Sequence, residues 1–404
     1  MTKVPEPPKP LFELRQLIYD TKYRSLTVQA IAMCLLVLFF SWLINNTIQN
    51  LTALGKDFDF GFLTNIAGYD INQRLIEYSS TSTHGRAALV GILNTLLVAF
   101  LGCALATIIG IVAGVLRLSK NWIVARLMTI YVEGFRNVPL LLWILIIFAV
   151  MTESTPGPRD FRAGGSASMI MFDSVAISNR GVYIPFPVWG EGSGILIFVF
   201  FLSLICVWLF KKFATSRQQQ TGVTLPTFWI STGIVIIPSI VVFFLLGQPV
   251  SLDYPTLGGF NFRGGLQLRN SLIALWLALS LYTGAFIAEI VRSGILSVSK
   301  GQTEAAYALG LRPNRTMNLV ILPQALRVIV PPLISQYLNL TKNSSLAIAV
   351  GYMDVRSTLG GITINQTGRE LEGMLMLGLF YLLASLVISA VMNIYNNSVK
   401  LKGR

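Results

Sequence analysis

Long runs of residues without a single charged side chain restrict the fold of this chain more than any other feature. Each of the main runs contains 17 or more residues. An α-helix rises about 1.5 Å per residue, and about 20 apolar residues cross the hydrocarbon core of a bilayer. The runs therefore predict membrane-spanning helices. They cover residues 28–44, 89–116, 192–210, 270–288 and 373–399.

The composition argues against a water-soluble protein. Charged residues form 12% of the chain and hydrophobic residues 53%. In a typical soluble domain the charged fraction is about 25%. We therefore expect an all-α, polytopic helical membrane protein with about eight transmembrane helices.

Hydropathy predicts eight spans, of which the third and the seventh are unusual. The third holds Glu133 and Arg136 near its start, so its helix is expected to emerge from the membrane surface there. The seventh holds Pro331, Pro332 and Lys342, so we expect it to be kinked or broken. The predicted spans are residues 28–44, 89–116, 130–151, 194–210, 228–247, 271–291, 328–352 and 373–395.

Lys and Arg are distributed unequally between alternate loops. With the N-terminus in the cytoplasm, the cytoplasmic segments hold 20 of these residues and the external loops hold 10. Basic loops are retained in the cytoplasm during insertion, so both termini are predicted to be cytoplasmic. The net charge of +13 then reflects topology, and nucleic acid is not an expected partner.

The polar segments outside the spans provide few groups for metal or acid–base chemistry. The only histidine, His84, lies in the stretch SSTSTHGR and is expected to be a solvated loop residue. Three cysteines, Cys34, Cys103 and Cys206, each lie in an apolar run and are expected to behave as small hydrophobic residues. No metal site and no catalytic residues are predicted. The external loop 152–193 is rich in Gly, Ser and Pro, so mostly irregular chain is expected there.

Transport driven by ATP and transport driven by an ion gradient require different residues in a sequence. The phosphate-binding string GxxxxGK[ST] does not occur, so ATP, if used, would be bound by another subunit. An ion-coupled carrier usually places ionisable groups deep in its spans. The acids nearest to span cores are Glu133 and Glu289, close to the cytoplasmic ends, and the only deep base is Lys342. Ion coupling stays open as an alternative, and an intramembrane enzyme or a scaffold is a third hypothesis.

Residues 301–332 form the most informative cytoplasmic segment. Good helix formers at 302–309 precede Gly310, which suits the left-handed position that ends a helix. Pro313 suits the first turn of the next helix, which is predicted to lead to Pro323. The pattern predicts a helix-turn-helix, and a plain surface hairpin between two spans is the alternative.

Four motifs of this sequence, which follow one another along the chain in the family's order, resemble those of ABC importer permeases. Glu304-Ala305-Ala306, Gly310 and Val320-Ile321-Leu322-Pro323 are similar to the EAA signature, with valine in place of the usual isoleucine. The segments YVEGFRNVPLL at 131–141, AEIVRSGI at 288–295 and KNSSL at 342–346 resemble further motifs of the same family. Together they resemble the polar amino-acid branch, the histidine, glutamine, arginine and opine permeases, and above all the general L-amino-acid transporter permeases.

This resemblance implies a type I ABC importer permease fold with a cytoplasmic coupling helix. The chain would form half of a path for L-amino acids, in the bacterial inner membrane. The expected partners are two copies of an ATPase subunit, which would use ATP and Mg, a second homologous permease subunit and a periplasmic amino-acid-binding protein. No cofactor would be bound directly. The residues implied in ATPase coupling are Glu304, Ala305, Ala306, Gly310, Leu322 and Pro323.

Polar groups at membrane depth usually lie in protein or line a water-filled cavity, so they are candidates for a translocation path or gate. Helix capping, local ion pairing and buried structural hydrogen bonds are the alternatives. Glu133, Arg136 and Pro139 are assigned to a structural motif at the start of the third span. The candidates for the path or gate are Asn94, Thr283, Glu289, Arg292, Asn339, Lys342, Asn343, Ser344 and Ser345.

The domain prediction combines hydropathy with the resemblance. Residues 1–27 form a cytoplasmic tail, 28–88 an extra first helix with a periplasmic loop, and 89–395 the permease domain. That domain contains extra helices at about 194–247 and a coupling loop at about 292–327. Residues 396–404 form a second cytoplasmic tail.

Overall fold

The computed structural model describes residues 19–55, 58–162 and 164–399. Of the predicted tails 1–27 and 396–404, residues 1–18 and 400–404 lie outside the described residues. The chain divides after Asn65 into two units. In the first, α1 (Thr21–Ala53) is a 33-residue helix that contains the predicted span 28–44, and a 3₁₀ helix (Gly61–Thr64) follows.

The second unit, from Ile66 onward, is built mainly from helices. Seven described helical segments of the chain are long and apolar enough to cross a membrane, and one bent pair raises the number to eight. This confirms the predicted architecture. In chain order the helices of the second unit are α2 (His84–Leu116), α3 (Trp122–Asn137), α4 (Leu140–Glu153), α5 (Ser193–Thr221), α6 (Thr227–Leu245), α7 (Asn270–Leu296), α8 (Lys300–Ala308), α9 (Pro313–Thr316), α10 (Leu322–Asn343), α11 (Val355–Ser357), α12 (Ile364–Thr367) and α13 (Glu370–Val399).

Helices α2 and α7 pack closely because small residues line the face of α2. A Cβ atom at Gly110 would collide with the Ile287 side chain, and one at Gly114 would lie 2.7 Å from the Ala288 carbonyl oxygen. Ala106 is fully buried on the same stripe. The four-residue spacing of small residues in α2 therefore serves helix packing.

The predicted third span is broken in the structure. Helix α3 ends at Asn137, α4 begins at Leu140, and their axes differ by 109°. Val138 is extended, the conformation that the following Pro139 imposes on its predecessor. An amphipathic helix and a short apolar helix thus replace one continuous span.

Helix α10 shows that the seventh span is not broken at its two prolines; the predicted kink is not tested. The helix continues through Pro331 and Pro332, and its α-helical part ends only at Asn343. A 3₁₀ helix (Ser344–Val350) and the left-handed Gly351 then end the segment. A π-helical turn (Met317–Ile321) joins α9 to α10 before Pro323, so Pro323 does not end the helix.

Short antiparallel strands cover one end of the second unit, which we call the strand end. Three of them lie in the loop 152–193, whose other residues are mostly irregular, as expected. One sheet has the order β1-β2-β7; β3 pairs with β4 across the α5–α6 insertion, and β5 with β6 forms a hairpin. The strands are β1 (Ala176–Ser178), β2 (Gly181–Ile184), β3 (Phe186–Trp189), β4 (Val250–Asp253), β5 (Thr256–Gly258), β6 (Asn261–Arg263) and β7 (Leu266–Leu268).

His84 is buried, which contradicts the prediction of a solvated loop residue. Its ring is 3% exposed and lies at the first turn of α2. Its Nδ1 atom lies 3.1 Å from the hydroxyl of Thr363, and its ring centre lies 6.3 Å from that of Tyr69. The polar neighbours in the sequence gave no sign of these distant partners.

Candidate coupling and translocation site

Helix α8 projects from the end of the second unit opposite the strands and ends in a glycine-dependent turn. The Leu311 N–H donates to the Ala306 carbonyl and the Gly310 N–H donates to the Tyr307 carbonyl. These two bonds define a Schellman motif, in which the residue after the C-cap is left-handed. Gly310 occupies that position with φ of +74°. The structure confirms the predicted helix and turn.

The surface of α8 is divided between a buried alanine and exposed neighbours. Ala306 is 4% exposed, whereas Glu304 and Ala305 are exposed. Leu309, at the C-cap, is 81% exposed. Ala306 thus packs against the rest of the chain, and the exposed Glu304, Ala305 and Leu309 are accessible to another protein.

The end of the EAA-like segment lies beside α8. The Gln324 side chain donates to the Gln302 side chain at 3.4 Å and to the Val320 carbonyl at 3.0 Å. Leu322 is exposed and Pro323 is half-buried. The six predicted coupling residues therefore lie on two connected elements, α8 and the start of α10.

Five charged side chains join α2, α3 and α7 near the α8 end. Arg117, whose side chain is only 8% exposed, contacts Glu289 and lies 3.7 Å from Glu133. Arg136 lies 4.0 Å from Glu133 and 3.9 Å from Glu289. Arg292 pairs with Glu289 at 3.1 Å, which confirms the predicted local pair. We call Arg117, Glu133, Arg136, Glu289 and Arg292 the charge cluster.

The charge cluster fixes the broken span against the bundle. Arg136 also lies over the ring of Phe286, 5.3 Å from its centre. The hydroxyl of Tyr131 donates to the Leu281 carbonyl at 2.7 Å, so α3 is bonded to α7 at a second point. Glu133 and Arg136, which precede Pro139, are thereby brought together with the predicted gate residues on α7. Sequence reasoning missed Arg117.

Three of the predicted path residues are buried in the fold. Asn94 is fully buried, and its amide donates to the carbonyls of Gln73 and Met353 at 2.7 and 2.9 Å. Ser344 donates to the Thr341 carbonyl at 2.7 Å, and Thr283 is 3% exposed. The hydrogen bonds give Asn94 and Ser344 a structural role in this conformation.

Two other path candidates form an exposed polar face on α10. Asn339 and Lys342 are exposed and three residues apart, and Ser335 lies four residues before Asn339 on the same face. Asn343 and Ser345 are half-buried beside them. Polar side chains therefore point outward from a membrane-spanning helix at this face.

Sequence reasoning also missed a buried carboxyl group, Asp354, between the last two spans. Its Oδ1 atom accepts hydrogen bonds from the Ser357 N–H at 2.8 Å and the Ser357 hydroxyl at 2.9 Å, so it caps α11. Its Oδ2 atom is buried without a hydrogen-bond partner. Burial raises the pKa of Asp354, and the hydrogen bonds from Ser357 oppose this rise. The Asp-x-x-Ser spacing is the sequence signal that could have revealed this cap.

Comparison with known proteins assigns the arrangement to a family. Residues 106–401 match the family described as binding-protein-dependent transport system inner membrane component. The chain is 54% identical to the glutamate/glutamine/aspartate/asparagine transport system permease protein BztB of Rhodobacter capsulatus, over 100% of both chains.

Two further relatives extend the likeness. The general L-amino acid transport system permease protein AapQ of Rhizobium johnstonii is 43% identical and covers 97% of this chain and 96% of its own length. The putative amino-acid ABC transporter permease protein YhdX of Escherichia coli is 44% identical, over 94% of this chain and 95% of its own. The chain therefore belongs to the family of inner-membrane components of binding-protein-dependent transport systems, and it is the permease subunit of an amino-acid ABC importer rather than an enzyme or an ion-coupled carrier.

Proposed function

We propose that this permease forms one half of an amino-acid path, with the exposed polar face of α10 lining it. The observation that carries the proposal is the position of Asn339 and Lys342, which point out of a membrane-spanning helix. Charged and amide groups are costly in contact with lipid chains, so such a face requires water or a polar partner. A second permease subunit facing α10 would enclose a hydrated path.

We propose that α8 transmits the state of the ATPase subunits to this path. Its exposed Glu304, Ala305 and Leu309 would enter a cleft of the ATPase, while Ala306 keeps the helix seated on the permease. Two ATPase copies would bind ATP and Mg, one per permease subunit. The charge cluster joins α2, α3 and α7 near the α8 end, and it would hold these helices together while α8 moves.

We infer the orientation and the cargo from charge and from the relatives. The excess of Lys and Arg in alternate loops supports cytoplasmic termini and a location in the bacterial inner membrane, with α8 in the cytoplasm. A periplasmic amino-acid-binding protein would then meet the strand end. The name of the relative with 54% identity supports glutamate, glutamine, aspartate and asparagine as cargo.

Thiol accessibility tests the path assignment. Cys34, Cys103 and Cys206 are first replaced by serine, and Asn339→Cys or Lys342→Cys is added. The complete transporter in nanodiscs is then treated with a charged, membrane-impermeant maleimide. Both cysteines are expected to react rapidly, because thiolates form in water and not in lipid.

Leu383→Cys is the matched control, because Leu383 is 52% exposed on α13, in an apolar part of the bundle surface. It is expected to react at least about tenfold more slowly, since its neighbourhood excludes the thiolate. Equal, slow labelling of all three positions would show that the α10 face is not hydrated, and the path assignment would be wrong.

A further inference from the structure

A polar cavity of about 420 Å³ lies at the strand end, apart from the proposed path face of α10. Its wall combines Arg180 and Gln267 from the strand region with Arg269 and Asn270 at the start of α7. Val350, at the end of the 3₁₀ helix after α10, contributes an apolar patch. Pockets of about 300–1,000 Å³ with a few convergent polar groups are the usual size for small ligands.

The charge of this cavity is one-sided. Its lining contains two arginines and no aspartate or glutamate. Within the described part of the chain, neither Arg180 nor Arg269 forms an ion pair. Arg180 donates to the Phe260 carbonyl at 3.2 Å and Arg269 to the Asn72 side chain at 3.1 Å. Both positive charges are therefore held in place without an anion.

The two guanidinium groups act on the same part of the cavity. Asn261 lines the wall and accepts a hydrogen bond from the hydroxyl of Tyr183 at 2.8 Å. Burial raises the pKa of Tyr183, and the Asn261 hydrogen bond and the charges of Arg180 and Arg269 oppose the rise. Both arginines therefore act on the Tyr183 hydroxyl, which is bonded to the wall residue Asn261.

Two wall residues also hold polar atoms without partners, but these atoms are buried away from the cavity. Asn270 is 4% exposed, and its amide nitrogen donates to the Asn179 carbonyl at 2.9 Å, but its Oδ1 atom is buried without a partner. The Nε atom of Arg269 is likewise buried and unpaired. The groups that can meet a ligand are therefore the N–H donors of Arg180 and Arg269, which suit a carboxylate.

We propose that this cavity is a binding site for a free amino acid with net negative charge, outside the membrane-spanning path. Two guanidinium groups without acidic neighbours favour a dicarboxylic amino acid over its uncharged amide analogue, because Arg pairs strongly with carboxylates. The inference rests on the proposed amino-acid cargo and adds a site that discriminates by charge. The site would raise the local concentration of acidic substrates at the outer mouth of the path.

Equilibrium binding to the complete transporter without its binding protein tests this site. The transporter is reconstituted in nanodiscs, and binding of radiolabelled glutamate and glutamine is measured. The double variant Arg180→Gln, Arg269→Gln is expected to weaken glutamate binding by about tenfold or more, with a much smaller effect on glutamine. Arg159→Gln is the matched control, since Arg159 is an exposed arginine on the same side of the molecule that does not line the cavity. Arg159→Gln is expected to change neither glutamate binding nor glutamine binding.

A second variant keeps the test valid if the loss of Arg269 disturbs the start of α7. Asn179→Asp is isosteric, leaves both arginines in place and adds a negative charge at the cavity wall. It is expected to weaken glutamate binding relative to glutamine by like-charge repulsion. Unchanged glutamate binding in both variants overturns the proposal.

Loss of affinity for the binding protein alone, with glutamate binding intact, would show a docking surface and would also overturn it. ATP-driven glutamine uptake separates this outcome from failure of the proposed function. If the variants still import glutamine, the proposed function is retained, and the binding result then tests only the proposed cavity site. If the wild-type complex imports neither glutamine nor glutamate, the proposed cargo itself fails.

Discussion

At the scale of single residues, Asp354 lies in an environment that disfavours its charged form. Its carboxyl group is fully buried, yet only one oxygen is satisfied, by Ser357. Tyr352 and Tyr381 are the neighbouring titratable groups that interact electrostatically with it. The carboxyl group is thus more easily protonated in the folded chain than in the unfolded chain, because burial disfavours its charged form.

This environment predicts a dependence of stability on pH. The folded-state pKa of Asp354 is raised above its ordinary value. The protonated carboxyl therefore supports the fold at low pH, and that contribution is lost as the pH rises through the folded-state pKa. Asp354→Asn keeps the cap on Ser357 and carries no charge, so its thermal unfolding temperature should fall less between pH 4 and about 8 than that of the wild type.

Glu191→Gln provides the control, because Glu191 is an exposed acid. Unfolding is followed by tryptophan fluorescence or light scattering on the purified chain in detergent. If Asp354→Asn and wild type show parallel pH profiles, the protonated state of Asp354 does not contribute to stability and this assignment is wrong.

Local sequence signals found some of these residues and missed those with distant partners. The Glu289–Arg292 pair was predictable because both residues lie on one helix face. Arg117 and His84 were not, since Arg117 is completed by residues of α3 and α7, and His84 contacts Thr363, which is 279 positions away. Their environment is set by tertiary packing, which no local pattern encodes.

At the scale of elements, the left-handed turn after α8 predicts how a substitution at Gly310 affects transport. Gly310 holds φ of +74°, which costs a residue with a side chain about 1–2 kcal/mol and a β-branched residue more. Gly310→Val should therefore distort the Schellman motif and move Leu309 and Leu311. ATP-driven amino-acid uptake is expected to fall at least about tenfold, while membrane insertion and subunit assembly persist.

Gly301→Val is the matched control for this substitution. Gly301 lies in the first turn of the same helix, its φ is not positive, and no atom lies within 4 Å of an added Cβ. Uptake is measured in proteoliposomes with the binding protein and the ATPase present. Wild-type uptake by Gly310→Val, or an equal loss in both variants, would contradict a specific role for the turn.

The elements themselves were predictable where a single local rule decided them. Hydropathy located the spans, and Gly310 and Pro313 located the turn. The prolines of α10 misled because the helix continues through Pro331 and Pro332 and ends later, at Asn343. The strands were missed because each contains only three or four residues, too few for an alternating pattern to be distinguished from loop.

At the scale of the whole molecule, the proposed function assigns partners to two exposed surfaces of the second unit. The polar face of α10 around Asn339 and Lys342 needs a hydrated or protein environment, and α8 presents Leu309 to solvent. The sequence motifs predicted both, because they resemble those of a family whose members act as subunits. The identity of the neighbours is a property of the assembly, so it depends on surfaces that this chain alone does not contain.

The mass and subunit composition of the transporter, purified through a tag on this chain from native membranes in mild detergent, test the central claim most directly. Native mass spectrometry is expected to find this chain with a second, similar permease and two copies of an ATPase that has the phosphate-binding string this chain lacks. Reconstituted together with its binding protein, that complex should import amino acids only with ATP. A chain that is isolated alone and transports on an ion gradient without ATP would contradict the claim.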